Sequence, residues 1–444
     1  MILAVVRTPH LNRLAEQGMR FTNANTPASV CSPTRYALLT GRYAWRGPLP
    51  FGVVGINDPL TIEPDRPTVG GLMKRSGYRT AQIGKWHLGY GDRMLSNPAE
   101  RIDHLSPGPN DLGFDYHFGL PQNLDDPLRV WIENDGIYGL RSLKISQYAH
   151  SFYGGTYAGF DAPQRSREEA TEFLTERASD WIRKVHRDKP DQPFFLYFAP
   201  PAVHHPIVPS ETMRGTSDCG AYGDFIQDLD LSVGRLIGTL AYEGILDDTL
   251  VIFTADNGAD LPDSPNQPEI RARQAGLLAN GPLRGDKHRI YEGGMRVPLI
   301  VRWPGRVPAG SVADHMVNIV DIYATLANVL SDRLKDGEAP DSFSFLPTLL
   351  GEEQPDRRSM VSDSEAGILA LRSGTWKYIE GKFPDSMSAN HKMRAGYFRG
   401  EDERALYDLV ADPGEQHNLI GEYPEVAEQM QKTLDAYRKN GKSR

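Results

Sequence analysis

Cysteine is nearly absent from this chain: two residues, Cys31 and Cys219, among 444. So few exclude a disulfide framework, although they leave the redox compartment open. Long hydrophobic runs are missing as well. The nearest stretch, Pro193 to Val203, carries three prolines, so no segment reads as a membrane span. Positive charge is in deficit, with a net charge of −9, which argues against nucleic acid as a main partner. Met1 to Val6 is too short for the core of a signal peptide and is cut off by Arg7. No internal repeat and no low-complexity tract occurs. What is abundant is glycine, 43 residues, and proline, 33 residues, as in an enzyme with many long loops.

Hydrophobic residues at 39% and charged residues at 24% describe a globular protein. Its length exceeds one ordinary core, so a large domain and a small one are expected. The expected boundary is the charged connector Gly351-Glu-Glu-Gln-Pro-Asp-Arg-Arg358, giving domains at 1–350 and 351–444. In the first, Thr8-Pro9 opens a helix with Leu11, Leu14 and Ala15 inward, and Thr68 to Ser76 forms a second that Gly77 stops. Tyr78 to Ile83 reads as a strand, Pro193 to Ala199 and Thr249 to Ala255 as buried strands, and Pro298 to Trp303 as a further apolar strand. Amphipathic helices are expected over Arg167 to Val185, Gly223 to Gly244 and Val317 to Leu330. Residues 91 to 165 read as irregular, and a loop region that long usually lines a site. Helices alternating with strands predict an α/β fold with a large, mostly parallel sheet sandwiched by helices. The small C-terminal α+β domain carries antiparallel strands at Ile368 to Arg372, Trp376 to Glu380 and Ala405 to Leu409, then a helix from Pro424 to Arg438.

Cys31-Ser-Pro-Thr-Arg35 precedes the helix formers Ala37 to Leu39 and the natural stop Gly41. Cys31 therefore sits at or just before a helix N-terminus, where free N–H groups favour an anion, and Arg35 adds a cation one turn on. The same residues also describe a structural cysteine opening a core helix. Three strands end in polar clusters: Lys85 and His87, His204 and His205, Asp256 and Asn257. Each could be an ordinary turn. Together, at the carboxyl ends of strands in one sheet, they are where such folds bind ligands. Arg35, Lys85 and Lys287 imply an anionic ligand. Asp256 and Asn257 offer hard oxygens suited to calcium or magnesium, and His87 and His204 exchange protons near neutrality. A soft thiolate at position 31 does not belong beside such a metal.

These residues resemble the signatures of the type I, formylglycine-dependent sulfatases of the alkaline phosphatase superfamily. Cys31-Ser-Pro-Thr-Arg35 with Leu38-Leu-Thr-Gly-Arg42 resembles the first signature and Gly84-Lys-Trp-His-Leu-Gly89 the second. Asp256-Asn-Gly258, Glu292-Gly-Gly294 and the C-terminal Asp412-Pro-Gly-Glu-Gln-His-Asn-Leu419 are similar too, and Thr40-Gly-Arg-Tyr-Ala-Trp-Arg46 is most like the arylsulfatase and N-acetylgalactosamine-6-sulfatase branch. The resemblance implies hydrolysis of an aryl or carbohydrate sulfate ester with release of inorganic sulfate. It implies that a maturation enzyme oxidises Cys31 to formylglycine, whose hydrate attacks sulfur with one hydroxyl and expels sulfate through the second. It further implies His87 as the base of that elimination and His204, rather than His205, with Lys287 on the leaving-oxygen side. Arg35 and Lys85 would hold the nucleophile and the sulfate, with Cys31, Asp256 and Asn257 as calcium or magnesium ligands. Export to a periplasmic or extracellular space is implied as well.

Two departures accompany the likeness. Position 34 is Thr where Ser is commoner. The family's first strand ends in an Asp-Asp pair that ligates calcium, whereas the first aspartate here is Asp58. Met1 to Val6 stands where the connection after that strand belongs, so the expectation is an N-terminally incomplete sequence that binds calcium weakly. Two rivals follow: a formylglycine phosphodiesterase or phosphonate hydrolase, and an inactive binder of sulfated glycans.

Overall fold

The computed structural model describes residues 6–149, 156–262, 264, 266–355, 357–384, 386–387 and 403–444. Met1 to Val5, including most of the short apolar start, lie outside the described residues. The chain forms two compact units. One comprises Met1–Arg13, Val54–Thr249 and Asp263–Leu277; the other comprises Leu14–Val53, Leu250–Pro262 and Leu278–Arg444.

The first unit is built on a five-stranded sheet in the order Gly136–Ile137, Ile132–Glu133, Tyr116–Leu120, Arg79–Lys85, Phe194–Ala199. Arg79–Lys85 runs parallel to both neighbours, with Lys85 opposite Leu120 and Gly84 opposite Ala199. The helix before it, Val69–Arg75, is capped by Thr68, whose side chain accepts from the Gly71 N–H at 3.0 Å. Gly77 then turns the chain at φ +87. Two glycines let the central strands approach. A Cβ on Gly84 would lie 2.0 Å from the Ala199 carbonyl oxygen, and one on Gly119 would lie 1.8 Å from that of Gly84.

Tyr116–Leu120 corrects the sequence expectation, which treated 91–165 as irregular. Its polar member His117 is fully buried and neutral. Nδ1–H donates to Gln82 Oε1 at 2.5 Å, and Nε2 accepts from the Tyr90 hydroxyl at 2.9 Å. Burial pushes the imidazole pKa down to about 3. A satisfied histidine can occupy a core strand, and sequence polarity alone hides that. Within the same region Ser142–Ala149 and Thr156–Asp161 form an antiparallel pair.

The helices Ala170–Asp188 and Gly220–Tyr242 stand near their expected places. The first buries Leu174, Ala178, Trp181, Ile182 and Val185 as its period predicts. The second differs: its buried residues include Asp224, Gln227, Asp228 and Asp230, while Leu229 and Val233 are half-buried. The reason is backbone capping. Asp224 accepts from the N–H of Gly215 and Ser217, both at 2.8 Å, and Asp228 from that of Ser210 at 2.6 Å. Asp230 accepts from Leu11 at 2.8 Å and His10 at 3.1 Å, satisfying the first turn of the helix Pro9–Glu16. In that short helix only Leu14 is fully buried.

The second unit holds a sheet ordered Val251–Thr254, Leu299–Arg302, Met19–Phe21, Ser311–Ala313. Here the parallel expectation fails locally. Leu299–Arg302 is antiparallel to both neighbours, and only Met19–Phe21 with Ser311–Ala313 is parallel. Two strands expected to be buried, Phe194–Ala199 and Val251–Thr254, are half-buried apart from Ala199. Each stands at the end of its sheet and pairs on one side among the described residues. Val317 to Leu330, read as one helix, begins as the strand pair Val317–Asn318, tightens through Ile319–Asp321 and becomes helix over Ile322–Val329. The Asn318 side chain accepts from the Val320 N–H and so ends the strand.

An antiparallel sheet, Met360–Asp363, Leu369–Ser373, Trp376–Ile379 and Ala405–Asp408, carries the three strands expected there and one not expected, Met360–Asp363. The helix Pro424–Asn440 packs Ala427, Met430 and Leu434 against Val361, Leu371, Tyr378 and Leu406 of that sheet.

Candidate active site

Cys31 is the first residue of the helix Cys31–Thr40, entered from an extended Val30 and closed by Gly41 at φ +64. The thiol is almost sealed, 2% exposed, and every residue of the helix except Leu38 is buried. Thr34 keeps the hydroxyl that its position calls for and donates to the Ala28 carbonyl at 3.1 Å, folding the preceding loop onto the first turn.

Arg35, one turn along, reaches the strand Val251–Thr254 at its carboxyl end. Its Nε and Nη2 lie 2.9 and 2.7 Å from Oδ2 of Asp256. Beside it, Asn257 donates through Nδ2 to the Gly258 carbonyl, while its Oδ1 is buried without a hydrogen-bond partner among the described residues. Gly258 is required by space, since a Cβ there would lie 1.9 Å from the Gly293 carbonyl oxygen. Lys287 is joined to this turn twice. Its N–H donates to the Ala259 carbonyl at 2.9 Å, and its Nζ stands 3.6 Å from Asp260 Oδ2. The next residue, His288, donates its N–H to Ser29, two residues before Cys31. Cys31, Arg35, Asp256, Asn257 and Lys287 are thus linked within one unit by short, named contacts.

Sequence reading missed the carboxylates around that link. His288, in the left-handed region at φ 80, has Nδ1 2.9 Å from Glu365 and Nε2 3.8 Å from Asp260. Burial alone would lower its pKa, but the two carboxylates win and raise it to about 9. Asp363, in the strand Met360–Asp363, is fully buried and burial drives its pKa well up. Its backbone brackets the Cys31 loop, donating to Pro27 and accepting from Ser29. The available signal was adjacency: Asp260 follows Asn257 by three residues and His288 follows Lys287 directly.

Lys85, His87 and His204 belong to the other unit. Lys85 is the last residue of its strand and is buried. His87 is also buried, sits at φ 58, and donates its N–H to Pro121 at 2.9 Å. The strand carrying Lys85 pairs with Phe194–Ala199, whose carboxyl end leads to His204, so these residues leave the same end of parallel neighbours. His204 donates through Nδ1–H to the His205 carbonyl at 2.8 Å, which fixes Nε2 as the second functional nitrogen. The His205 ring turns elsewhere, its Nε2 2.6 Å from Oε1 of the buried Glu269. Glu269 lies in the helix Pro268–Gln274 and was not singled out from sequence.

The sulfatase family model matches residues 4–332. The chain belongs to the sulfatase family. An N-acetylgalactosamine-6-O-sulfatase of Bacteroides thetaiotaomicron is 33% identical across 97% of this chain and 88% of its own. Human arylsulfatase A is 30% identical across 93% of this chain and 78% of its own. A solved structure from work on the metabolism of multiple glycosaminoglycans by Bacteroides thetaiotaomicron superposes with a TM-score of 0.87 at 32% identity, covering 98% of this chain and 95% of that one. The phosphonate monoester hydrolase of Agrobacterium radiobacter shares the fold alone, at a TM-score of 0.61 and 18% identity over 98% of this chain and 92% of that one.

This sulfatase is a sulfuric ester hydrolase of the α/β alkaline phosphatase-like class, and the phosphodiesterase and inactive-binder rivals are not favoured. No helix among the described residues is long and apolar enough to cross a membrane. Nor do those residues include a cluster of three or more His, Cys, Asp or Glu side chains arranged for a metal ion. The donors at Asp256 and Asn257 nevertheless fit a hard dication in kind, the orphaned Oδ1 of Asn257 being the clearest sign.

Proposed function

We propose that this sulfatase releases inorganic sulfate from a carbohydrate sulfate ester, and from aryl sulfates as simpler substrates. The observation that carries the reading is the Cys31 helix start tied through Arg35 to Asp256, beside the Asn257 carbonyl, which has no hydrogen-bond partner among the described residues. The resemblance to a relative named for N-acetylgalactosamine 6-O-sulfate chemistry supports a sulfated amino sugar. Cys31 is the residue converted to formylglycine by a separate maturation enzyme, and Asp256 and Asn257 hold calcium or magnesium. The hydrated formylglycine supplies an oxygen nucleophile with a second hydroxyl for product release, and the cation supplies charge for the sulfate.

The remaining work falls to this chain's own groups. Arg35 orients the nucleophile and Asp256 together. Lys85 binds a sulfate oxygen and stabilises negative charge that grows there. His87 accepts a proton so that sulfate can leave. His204 gives one to the departing alcohol oxygen, and the resemblance assigns Lys287 to the same proton-donating step. Residues 351–444 form a small appended domain, and export to a periplasmic or extracellular compartment suits a glycan substrate.

The test is co-expression with a formylglycine-generating enzyme, mass spectrometry of the Cys31 peptide, and assay of sulfate release from 6-sulfated N-acetylgalactosamine and 4-nitrophenyl sulfate. Conversion of Cys31 with faster turnover of sulfate esters than of an aryl phosphodiester is expected. Conversion with phosphodiester preference would overturn the reading.

A further inference from the structure

We propose that Glu269 and His205 form a positioning pair that aims His204 at the leaving oxygen; this rests on His204 being the acid of the sulfatase reaction. The chain of contacts is short. Glu269 is held in the interior by its helix, 2% exposed, and its Oε1 lies 2.6 Å from His205 Nε2. A buried carboxylate needs a partner, and this one's second oxygen has no hydrogen bond among the described residues. The imidazole of His205 is therefore its anchor. The same residue's main-chain carbonyl receives Nδ1–H of His204 at 2.8 Å. Holding the His205 ring holds that carbonyl, and the carbonyl holds both the ring plane and the tautomer of His204.

The surroundings make the anchor firm. Val203 and Ile207, flanking the two histidines, pack with Leu277 on the core of Cys219, Tyr222 and Ala272, and Ala272 belongs to the same short helix as Glu269. The two imidazoles stand nearly perpendicular, at 88° with centroids 6.4 Å apart, so they face different tasks. His205 points to the protein interior. His204 is left to deliver its proton from Nε2. As the sulfur–oxygen bond to the alcohol breaks, the bonding pair stays on that oxygen and the Nε2 proton neutralises it, leaving His204 neutral. A misaligned ring slows only reactions that need this proton.

That requirement separates the pair from a merely structural contact. 4-Nitrophenolate leaves without a proton, whereas a sugar hydroxyl does not. Glu269→Ala is expected to lower kcat/KM for the 6-sulfated sugar about tenfold to a hundredfold and to leave 4-nitrophenyl sulfate within about twofold. Glu269→Gln, which keeps an acceptor for Nε2–H, is expected to restore most of the loss. In a His204→Ala background, Glu269→Ala is expected to add nothing. His205→Asn, which removes the ring and keeps the carbonyl, is expected to reproduce the same split and serves where Glu269→Ala does not fold by circular dichroism. Equal losses on both substrates, no loss on either, or a further loss in the His204→Ala background would overturn the proposal. A wild-type protein inert toward both substrates with Cys31 converted would instead overturn the sulfatase reading on which it rests.

Discussion

Arg35 spends two donors on a single oxygen: Nε and Nη2 both converge on Oδ2 of Asp256, at 2.9 and 2.7 Å. The guanidinium thus competes for the charge that a dication would use while it aligns the helix start with the strand end. Its removal has opposite effects on binding and on turnover. Arg35→Ala is expected to tighten calcium binding by about tenfold and to lower kcat/KM for an aryl sulfate by about a hundredfold or more. Arg35→Lys, a point charge that cannot reproduce the fork, stays low in activity. Calorimetric titration and initial rates on the same preparations check both signs.

Asn257 presents a buried oxygen that accepts no hydrogen bond among the described residues. In the apo protein this is a cost, and a bound cation removes it. Calcium is expected to raise the Tm of the wild type, and Asn257→Ala to abolish that rise while changing the Tm without calcium little. A calcium-induced shift that survives the substitution would place the cation elsewhere.

His288 lies between Asp260 and Glu365, and its pKa is raised from about 6.5 to about 9. A base whose folded pKa is raised stabilises the fold fully below its unfolded value, and that contribution disappears as pH climbs through the folded value. The Tm gap between the wild type and His288→Gln is therefore expected to be widest below about pH 6.5 and to close between about pH 6.5 and 9. Because Lys287 shares Asp260, the loss of turnover above pH 9 is expected to be steeper in the wild type than in the variant.

His117 carries the opposite sign. Its pKa is lowered to about 3 by burial, so the unfolded chain takes up a proton below about pH 6.5 that the folded chain refuses. Stability falls as pH drops from about 6.5 toward 3, by about 1.4 kcal/mol per unit from this one site. Urea unfolding at pH 7 and pH 5 measures the slope, and Gln at position 117 is expected to flatten it.

Gly84 and Gly258 are positions where a single methyl collides with backbone, at 2.0 and 1.9 Å from carbonyl oxygens. Neither neighbour is a flexible side-chain end that can move aside. Gly84→Ala, at φ +118, is expected to cost about 2 kcal/mol or more, and Gly258→Ala to disturb Asn257 and turnover even where the protein still folds.

The places of the candidate residues were legible because they sit on motifs at a helix start and at strand ends. Cys31, Arg35 and Asp256 lie where helix capping and strand patterning place them, but the Arg35–Asp256 contact was not anticipated, since sequence reading assigned Arg35 to the nucleophile and Asp256 to a metal ion. What sequence could not supply were partners with no local signature. Glu269 lies far along the chain from His205, and Glu365 from His288, and only the fold makes them neighbours. The fold was misread where polar residues are satisfied internally. His117 in a core strand and the aspartates of Gly220–Tyr242 look solvent-facing until their hydrogen bonds are seen. Strand direction was beyond the apolar pattern too, since Val251–Thr254 and Leu299–Arg302 read alike whether parallel or antiparallel.

The depth of Cys31 also sets a clock. Its helix is sealed in the folded protein, yet one of the partners that complete its surroundings, Asp256, lies 221 residues beyond Arg35. A ribosome adding about 5–20 residues per second takes roughly 10–45 s to cover that distance. An enzyme that must touch the Cys31 sulfur therefore meets an open peptide during that interval and a closed one afterwards. Incubating the folded protein with a maturation enzyme is expected to leave the thiol unchanged, while slowed translation raises the fraction converted.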